Sequence, residues 1–430
     1  LIIASAGCAK RVPNSLNGKH IASYSNEILD KWMVLQVRLM KNTVGVTNVL
    51  FTRPYAYSGI VAYESISQGM DDDKWLTIHW NGLSGLPRAD EGRSYSWPQT
   101  LNAAMAAINH KFFPKASPVD STAIDSLESA LRNSFAGSHE IIQRSSAFGV
   151  SIADAIFNWA ETDGYKHASD PYVAPVGIGL WIPTPPAFAP ASTPYWGNLR
   201  TAIAGSTDNT QPGPPPFPYS TDPNSDFFKM VLQVYNASVN MSTEHMNMAL
   251  WWRDIPGVTS PGHWLNILHQ VLQQTDCRLG QAALAYALSG ASIYDASISC
   301  WKTKYTYNQV RPVTYIRAVM GYPTWNSLLI TPAHPEYSSA HAVISSATAE
   351  AITNIFGDIG SITDHTYDYL GWAPRTFPSI KAIGVDAGNS RIYAGLHYQP
   401  SIDRGLIQGT KVADNIFGLI LFKDIPKSDY

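Results

Sequence analysis

Apolar residues recur at intervals of three and four over most of this chain, and the stretches between them are rich in Gly, Pro, Ser and Asp. That period marks helices with one buried face. Ser25 or Asn26 can cap a helix running to about Lys41, and the same pattern continues over Arg53–Met70, Pro98–Phe113, Asp120–Phe135 and His139–Thr162. Strand-like alternation is nearly absent, so the predicted fold class is all-α.

Between Pro171 and Pro223 the texture changes, because 13 of the chain's 29 prolines fall there. Such a segment cannot stay helical and reads as an extended crossover. Its Trp181, Phe188, Tyr195, Trp196 and Phe217 predict that it packs down in order. Helices resume at about Ser225. The expected organisation is a tail over 1–20, an N-terminal helical half over 21–170, a Pro-rich connector over 171–224 and a C-terminal helical half over 225–430. Ser289-Gly290 reads as a turn between two short helices, Cys277–Leu288 and Ala291–Cys300. An antiparallel hairpin would bring those cysteines together, so either a disulfide or two free buried thiols is expected.

Composition narrows the function. Charged residues make up only 15% of the 430, against roughly 25% in most soluble proteins, and 13 Trp and 22 Tyr promise a large core. A net charge of −3 offers no basic surface for nucleic acid, so any anion site must be local. No apolar run reaches the 18 or so residues of a membrane span. The opening Leu1-Ile-Ile-Ala-Ser5-Ala6-Gly7-Cys8 looks like the end of an export signal, and an ordinary chain start is the alternative. Export to the periplasm or medium is expected, with a lipid anchor at Cys8 if the lipobox-like Ser5–Cys8 is used.

Three clusters carry chemistry. Lys304 and Arg311 stand seven apart, and Pro312 predicts a helix break near Asn308 with Arg311 opening the next helix. Ser338-Ser339-Ala340-His341 leads into a helical run over Val343–Phe356, with Ser338 as the candidate cap. Free amides at that helix start are a ready anion seat. Arg391 precedes His397, which sits just ahead of a helix that Pro400 would open and that runs to about Leu419. Together these supply three permanent cations, a hydroxyl, helix-end amides and two histidines. Arginine suits forked contacts to oxygens, and lysine supplies a point charge. A protein that only bound phosphate would need the cage but not two histidines, one of which can bond a central atom while the other moves protons.

These clusters resemble the three signatures of the phosphatidic-acid-phosphatase/vanadium-haloperoxidase superfamily. Lys304…Arg311-Pro312 fits K-x6-RP, Ser338-Ser339-Ala340-His341 stands where PSGH belongs, and Ser390-Arg391-x5-His397 fits SR-x5-H. Thr52–Met70 and Trp181–Gly197 also look like soluble bacterial haloperoxidase relatives. The resemblance implies two packed helical bundles with the active site in the C-terminal one. It implies that vanadate is the cofactor and that phosphate can occupy the same site. His397 would bond vanadium; Lys304, Arg311, Ser339, Arg391 and the Ala340 amide would hold its oxygens; His341 would be the acid/base. Hydrogen peroxide, a halide (iodide or bromide foremost) and a small organic acceptor are the implied partners. In the phosphatase version a phosphate ester is the substrate, His397 attacks phosphorus and His341 protonates the leaving oxygen. An inactive oxyanion-binding protein is the third reading. His334, seven residues before His341, falls where fungal chloroperoxidases of the family have Phe and algal bromoperoxidases His, which implies a part in tuning halide use. The sequence departs at Ser338 and Ala340, where the motif has Pro and Gly, and its Asp403 is spaced too far from His397 to match the phosphatase pattern.

Overall fold

Two of the N-terminal helices begin where a serine hydroxyl takes up a free backbone amide. In this computed structural model, which describes residues 21–45, 48–70, 76–135, 137–256 and 258–422, the first five are α1 (Glu27–Asn42), α2 (Thr52–Ser67), α3 (Trp97–Phe112), α4 (Pro118–Ser134) and α5 (His139–Ala160). The N-terminal tail, with Cys8, lies outside the described residues. Ser117 and Ser138 accept hydrogen bonds from Asp120 N (3.2 Å) and Ile141 N (3.4 Å), which caps α4 and α5. Each of these five helices is found within a turn of its expected bounds.

After the connector come α6 (Asp226–Val239), α7 (Thr243–Trp251), α8 (Ser260–Thr275), α9 (Leu279–Tyr307), α10 (Pro312–Ala318) and α11 (Ala340–Phe356). A two-stranded antiparallel hairpin follows, β1 (Ile362–Asp364) pairing with β2 (Arg375–Phe377), and then α12 (Ile380–Tyr393) and α13 (Gln399–Leu419). The hairpin of three-residue strands is the one β element among the described residues, too short for its alternation to stand out. The class is all-α.

Two bundles share one central helix. On one side α9 runs against α2, the most extensive helix pairing in the molecule, with α3 and α5 packed behind. On the other it packs against α11, which α12 and α13 flank. Every residue of α2 and nearly all of α9 up to Lys304 is buried, as expected of helices enclosed on every face.

The predicted Ser289-Gly290 turn does not exist. Leu279–Tyr307 is one 29-residue helix, so Cys277 and Cys300 lie ~30 Å apart along it at 1.5 Å per residue, and both are free, buried thiols. Gly290 is present because the helices touch: a Cβ there would sit 2.9 Å from Ala56 Cα, and one on Gly59 would sit 2.5 Å from the Tyr286 carbonyl oxygen. The glycines bring two backbones together, a role that looks the same in sequence as a turn signal.

The break after α9 falls where Pro312 predicted it. Asn308 caps the helix at φ 46°, and Arg311 occupies the N-cap of α10. The connector contains no α-helix, and it is laced onto this corner. Trp181 N donates to the Asn308 carbonyl (2.6 Å), Ser192 N to that of Ala333 (2.7 Å), and Trp301 Nε1 to Thr193 Oγ1 (3.0 Å). Trp181 and Trp196 are buried as expected, whereas Phe188 is 61% exposed.

Candidate functional site

The helix ends converge. Lys304 comes from the last turn of α9, Arg311 from the start of α10, Ser339, Ala340 and His341 from the start of α11, Arg391 from the last turn of α12, and His397 from just before α13. Arg311 ties the parts together. Its Nε donates to the His334 carbonyl (2.9 Å), Nη1 to the Leu396 carbonyl (3.0 Å) and to His397 Nε2 (3.2 Å), and Nη2 to His334 Nδ1 (3.0 Å). Lys304 Nζ donates to the carbonyls of Pro335 (3.0 Å) and Glu336 (2.9 Å). Ala340, His341, Arg391, His397 and His334 line one cavity of about 30 Å³ together with Asp254, Ser260, Trp301 and apolar side chains. Lys304, Arg311 and Ser339 stand behind that lining.

Ser338 is not the cap. Its hydroxyl donates to Gln408 Oε1 (2.6 Å), and α11 starts one residue later than a Ser338 cap requires, with Ser339 in the N-cap position. Ser339 Oγ bonds nothing and is buried, as is Arg391 Nε. The first amides of α11 likewise have no carbonyl of their own helix to bond. Unpaired buried donors are costly unless something accepts from them, and here they sit beside three cations.

Burial and mutual repulsion shape the charges. Burial lowers the Lys304 ammonium to about 7 and the Arg311 guanidinium to about 10, and it lowers Arg391 as well. Burial, reinforced by these cations, holds His334, His341 and His397 well below the usual histidine range, so all three are neutral near pH 7. Neighbours then assign their tautomers. Arg311 can only donate, so His397 Nε2 keeps its lone pair and Nδ1–H donates to Glu336 Oε1 at 2.7 Å. The Trp252 carbonyl can only accept, so His341 Nε2 carries a proton toward it (2.9 Å) and Nδ1 is the free base. The same carbonyl accepts from Arg391 Nη1 (2.9 Å).

Four residues that the motifs do not contain complete the site. Glu336 is fully buried, bonded to His397 and to the Tyr398 amide (3.0 Å). Its signal was visible: it is the one acidic residue between Asp295 and Glu350. Asp254 lies 3.8 Å from His341 Nε2, beyond hydrogen-bond reach but close enough to steady an imidazolium. Trp252 contributes its carbonyl, which no sequence pattern reveals, and Trp301 walls the cavity one turn before Lys304. Asp403, by contrast, accepts from Gln399 (2.8 Å) on the surface.

Donors of this kind fit an oxyanion with three or four oxygens, and the two orphaned donors favour one. A lone-pair nitrogen at His397 Nε2 fits a metal atom at its centre. Vanadate therefore fits the residues present.

Residues 284–421 match the family model described as the VCPO second helical-bundle domain, a span that contains all three motif clusters. The chain is similar to the structure of a bacterial vanadium-dependent iodoperoxidase, with a TM-score of 0.82 and 27% identity over 92% of this chain and 96% of that one. It shares its fold with a bacterial vanadium-dependent chloroperoxidase. The apo form aligns at TM-score 0.64 and 16% identity, covering 87% of this chain and 93% of that one. The holo form aligns at 0.65 and 17%, covering 95% of each. Comparison with curated proteins returns no significant match.

Proposed function

We propose that this chain is a vanadium-dependent haloperoxidase, a reading supported by its second-bundle family match and its likeness to an iodoperoxidase, and that it oxidises a halide, iodide or bromide, with hydrogen peroxide to hypohalous acid. The observation that carries this reading is a neutral His397 whose Nδ1 is turned to a buried carboxylate. Its Nε2 is thereby left toward a small cavity beside the unpaired Ser339 hydroxyl and Arg391 Nε–H. His397 would hold vanadate through Nε2. Lys304, Arg311, Ser339, Arg391 and the Ala340 amide would hold its oxygens by charge-assisted hydrogen bonds, about 1.5–3 kcal/mol each. Bound there, vanadate supplies a Lewis acid able to accept and polarise peroxide without a redox side chain. His341 Nδ1 takes the peroxide proton, and Asp254 stabilises the imidazolium that results.

The resemblance to a vanadium-dependent iodoperoxidase along 92% of this chain supports the peroxidase over a phosphatase. Similarity to an iodoperoxidase at 27% identity makes iodide, the easiest halide to oxidise, the first to try.

The test is iodide oxidation by vanadate-loaded protein with peroxide, measured as triiodide, with phosphate added as competitor. Oxidation that phosphate suppresses is expected. Hydrolysis of a simple phosphate ester by the metal-free protein, without iodide oxidation after loading, gives the site to the phosphatase reading. His341→Ala should keep vanadate and lose roughly 10²–10⁴ in turnover, whereas His397→Ala should weaken vanadate binding itself.

A further inference from the structure

His397 gains its orientation from a carboxylate outside the motif that supplies the histidine. Glu336 lies on the segment between α10 and α11, and its backbone is pinned at both ends. The amide donates to the Gln309 carbonyl (3.0 Å), and the carbonyl accepts from Lys304 Nζ (2.9 Å). The side chain is wholly buried, and Oε1 takes two hydrogen bonds, from His397 Nδ1 (2.7 Å) and from the Tyr398 amide (3.0 Å). The adjacent residues His397 and Tyr398 thus share one oxygen, which fixes the ring's rotation as well as its tautomer. Asp403, the carboxylate closest to the phosphatase spacing, is engaged elsewhere.

We propose that Glu336 is a positioning residue that makes His397 Nε2 a strong donor toward vanadium, and that it thereby tells vanadate from phosphate. The proposal rests on the vanadate reading above. The cations and helix-end amides treat the two tetrahedral anions nearly alike. Only vanadate takes the imidazole as a fifth ligand, so only vanadate benefits from a more basic nitrogen. A carboxylate on the far side of a metal-bound imidazole raises its donor strength, and losing such a partner costs about 10- to 100-fold in metal affinity. Phosphate stays four-coordinate and responds to net charge alone.

The two anions should therefore move differently in Glu336→Gln, which keeps the size and an acceptor oxygen but removes the negative charge. Removing that charge leaves Lys304, Arg311 and Arg391 less compensated, so phosphate should bind as well as before or more tightly. Vanadate should bind at least about tenfold more weakly. Calorimetric titration of the metal-free protein at about pH 8, where Glu336 is mostly ionised, with vanadate and, separately, with inorganic phosphate reads both. Unchanged vanadate affinity overturns the proposal. Parallel weakening of both anions also overturns it, because Glu336 would then only hold the cage in shape. Wild-type protein that binds vanadate no better than phosphate overturns the vanadate reading itself, before any variant is made. If E336Q does not fold, Glu336→Asp decides, since it keeps the charge but draws it back from His397 by one methylene. Weaker vanadate with unchanged phosphate supports the proposal, and wild-type affinity for both overturns it.

Discussion

Arg53 and Arg391 are both buried arginines, and they are buried in opposite company. Arg53, near the start of α2, meets Asp163 (2.7 Å) and Glu161 (3.2 Å), donates to the Ala160 carbonyl (2.8 Å) and lies 4.6 Å from the centre of the Tyr165 ring. Tyr57 and Tyr294 add their hydroxyls to the same Asp163 oxygen, each at 3.1 Å. Burial alone would lower the Arg53 guanidinium, but Asp163 more than offsets it and the net shift is upward. Arg391 shares its surroundings with Arg311 and Lys304, all three are pushed down, and its Nε has no acceptor. A cationic cluster closed on carboxylates joins helices. One left with surplus charge and open donors is a receptacle.

Removing one partner from each cluster sharpens the contrast and brings the largest effect. Asp163→Asn strands the Arg53 charge and should cost about 3–5 kcal/mol in urea unfolding, with phosphate affinity unchanged. Arg391→Met should cost only about 1 kcal/mol without anion, one hydrogen bond to the Trp252 carbonyl. It should abolish the stabilisation that phosphate gives wild type, about 2.7 kcal/mol at 100 times its Kd. Equal losses of stability in both variants, with phosphate still stabilising Arg391→Met, would erase the distinction between joint and receptacle.

The receptacle was more legible in the sequence than the joint, for physical reasons. Lys304, Arg311, Arg391 and His397 stand at helix ends, and helix ends are announced by Pro312, Pro400 and small hydroxyl residues. Arg53 also stands at a helix start, just before Pro54, but its partners Glu161 and Asp163 come from the end of another helix, a tertiary pairing that no local spacing encodes. The same limit hid Glu336 and Asp254, which act on histidines 61 and 87 positions away in the sequence. Gly290 was misread because a glycine that permits a turn and one that permits two backbones to touch are locally identical. The one-residue error at Ser338 came from Gln408, which claims that hydroxyl from α13 and leaves Ser339 at the helix start.

A second, smaller effect separates the clusters by pH. Burial lowers Lys304 to about 7 from an ordinary 10.5, and it raises Glu336 to about 7 from 4.5. As pH rises through about 7 the receptacle loses a positive charge and gains a negative one, so anion affinity falls. Sulfate, which does not titrate here, should bind roughly tenfold more weakly at pH 8 than at pH 6, about 1.4 kcal/mol. Stability of the anion-free fold follows another course. Between about 4.5 and 7 the fold keeps the Glu336 proton that the unfolded chain has lost, so stability falls as pH rises. Between about 7 and 10.5 the unfolded chain keeps the Lys304 proton that the fold has lost, so stability rises. Lys304→Met should reduce the sulfate dependence and remove the upper stability limb. A wild-type sulfate affinity flat across this range would mean that the surplus charge is not held on Lys304.

The smallest expected effect concerns His334, where the receptacle would meet a halide on the proposed reading. His334 lines the cavity, accepts from Arg311 Nη2 through Nδ1 (3.0 Å), and has its ring centre 5.1 Å from that of Trp301. Burial, then Lys304 and Arg311, keep it neutral, so it can influence a halide only as a hydrogen-bond donor through Nε2–H and by occupying space. His334→Phe keeps a ring against Trp301, removes that donor and deprives Arg311 of one acceptor. One neutral hydrogen bond is worth about 1 kcal/mol, so the ratio of bromide to iodide oxidation should change by about fivefold or less, with phosphate affinity little altered. The two measurements separate the routes. A changed ratio at constant phosphate affinity puts His334 in contact with the halide. A ratio that moves in step with phosphate affinity means that the effect passes through Arg311, and an unchanged ratio takes His334 out of halide selection.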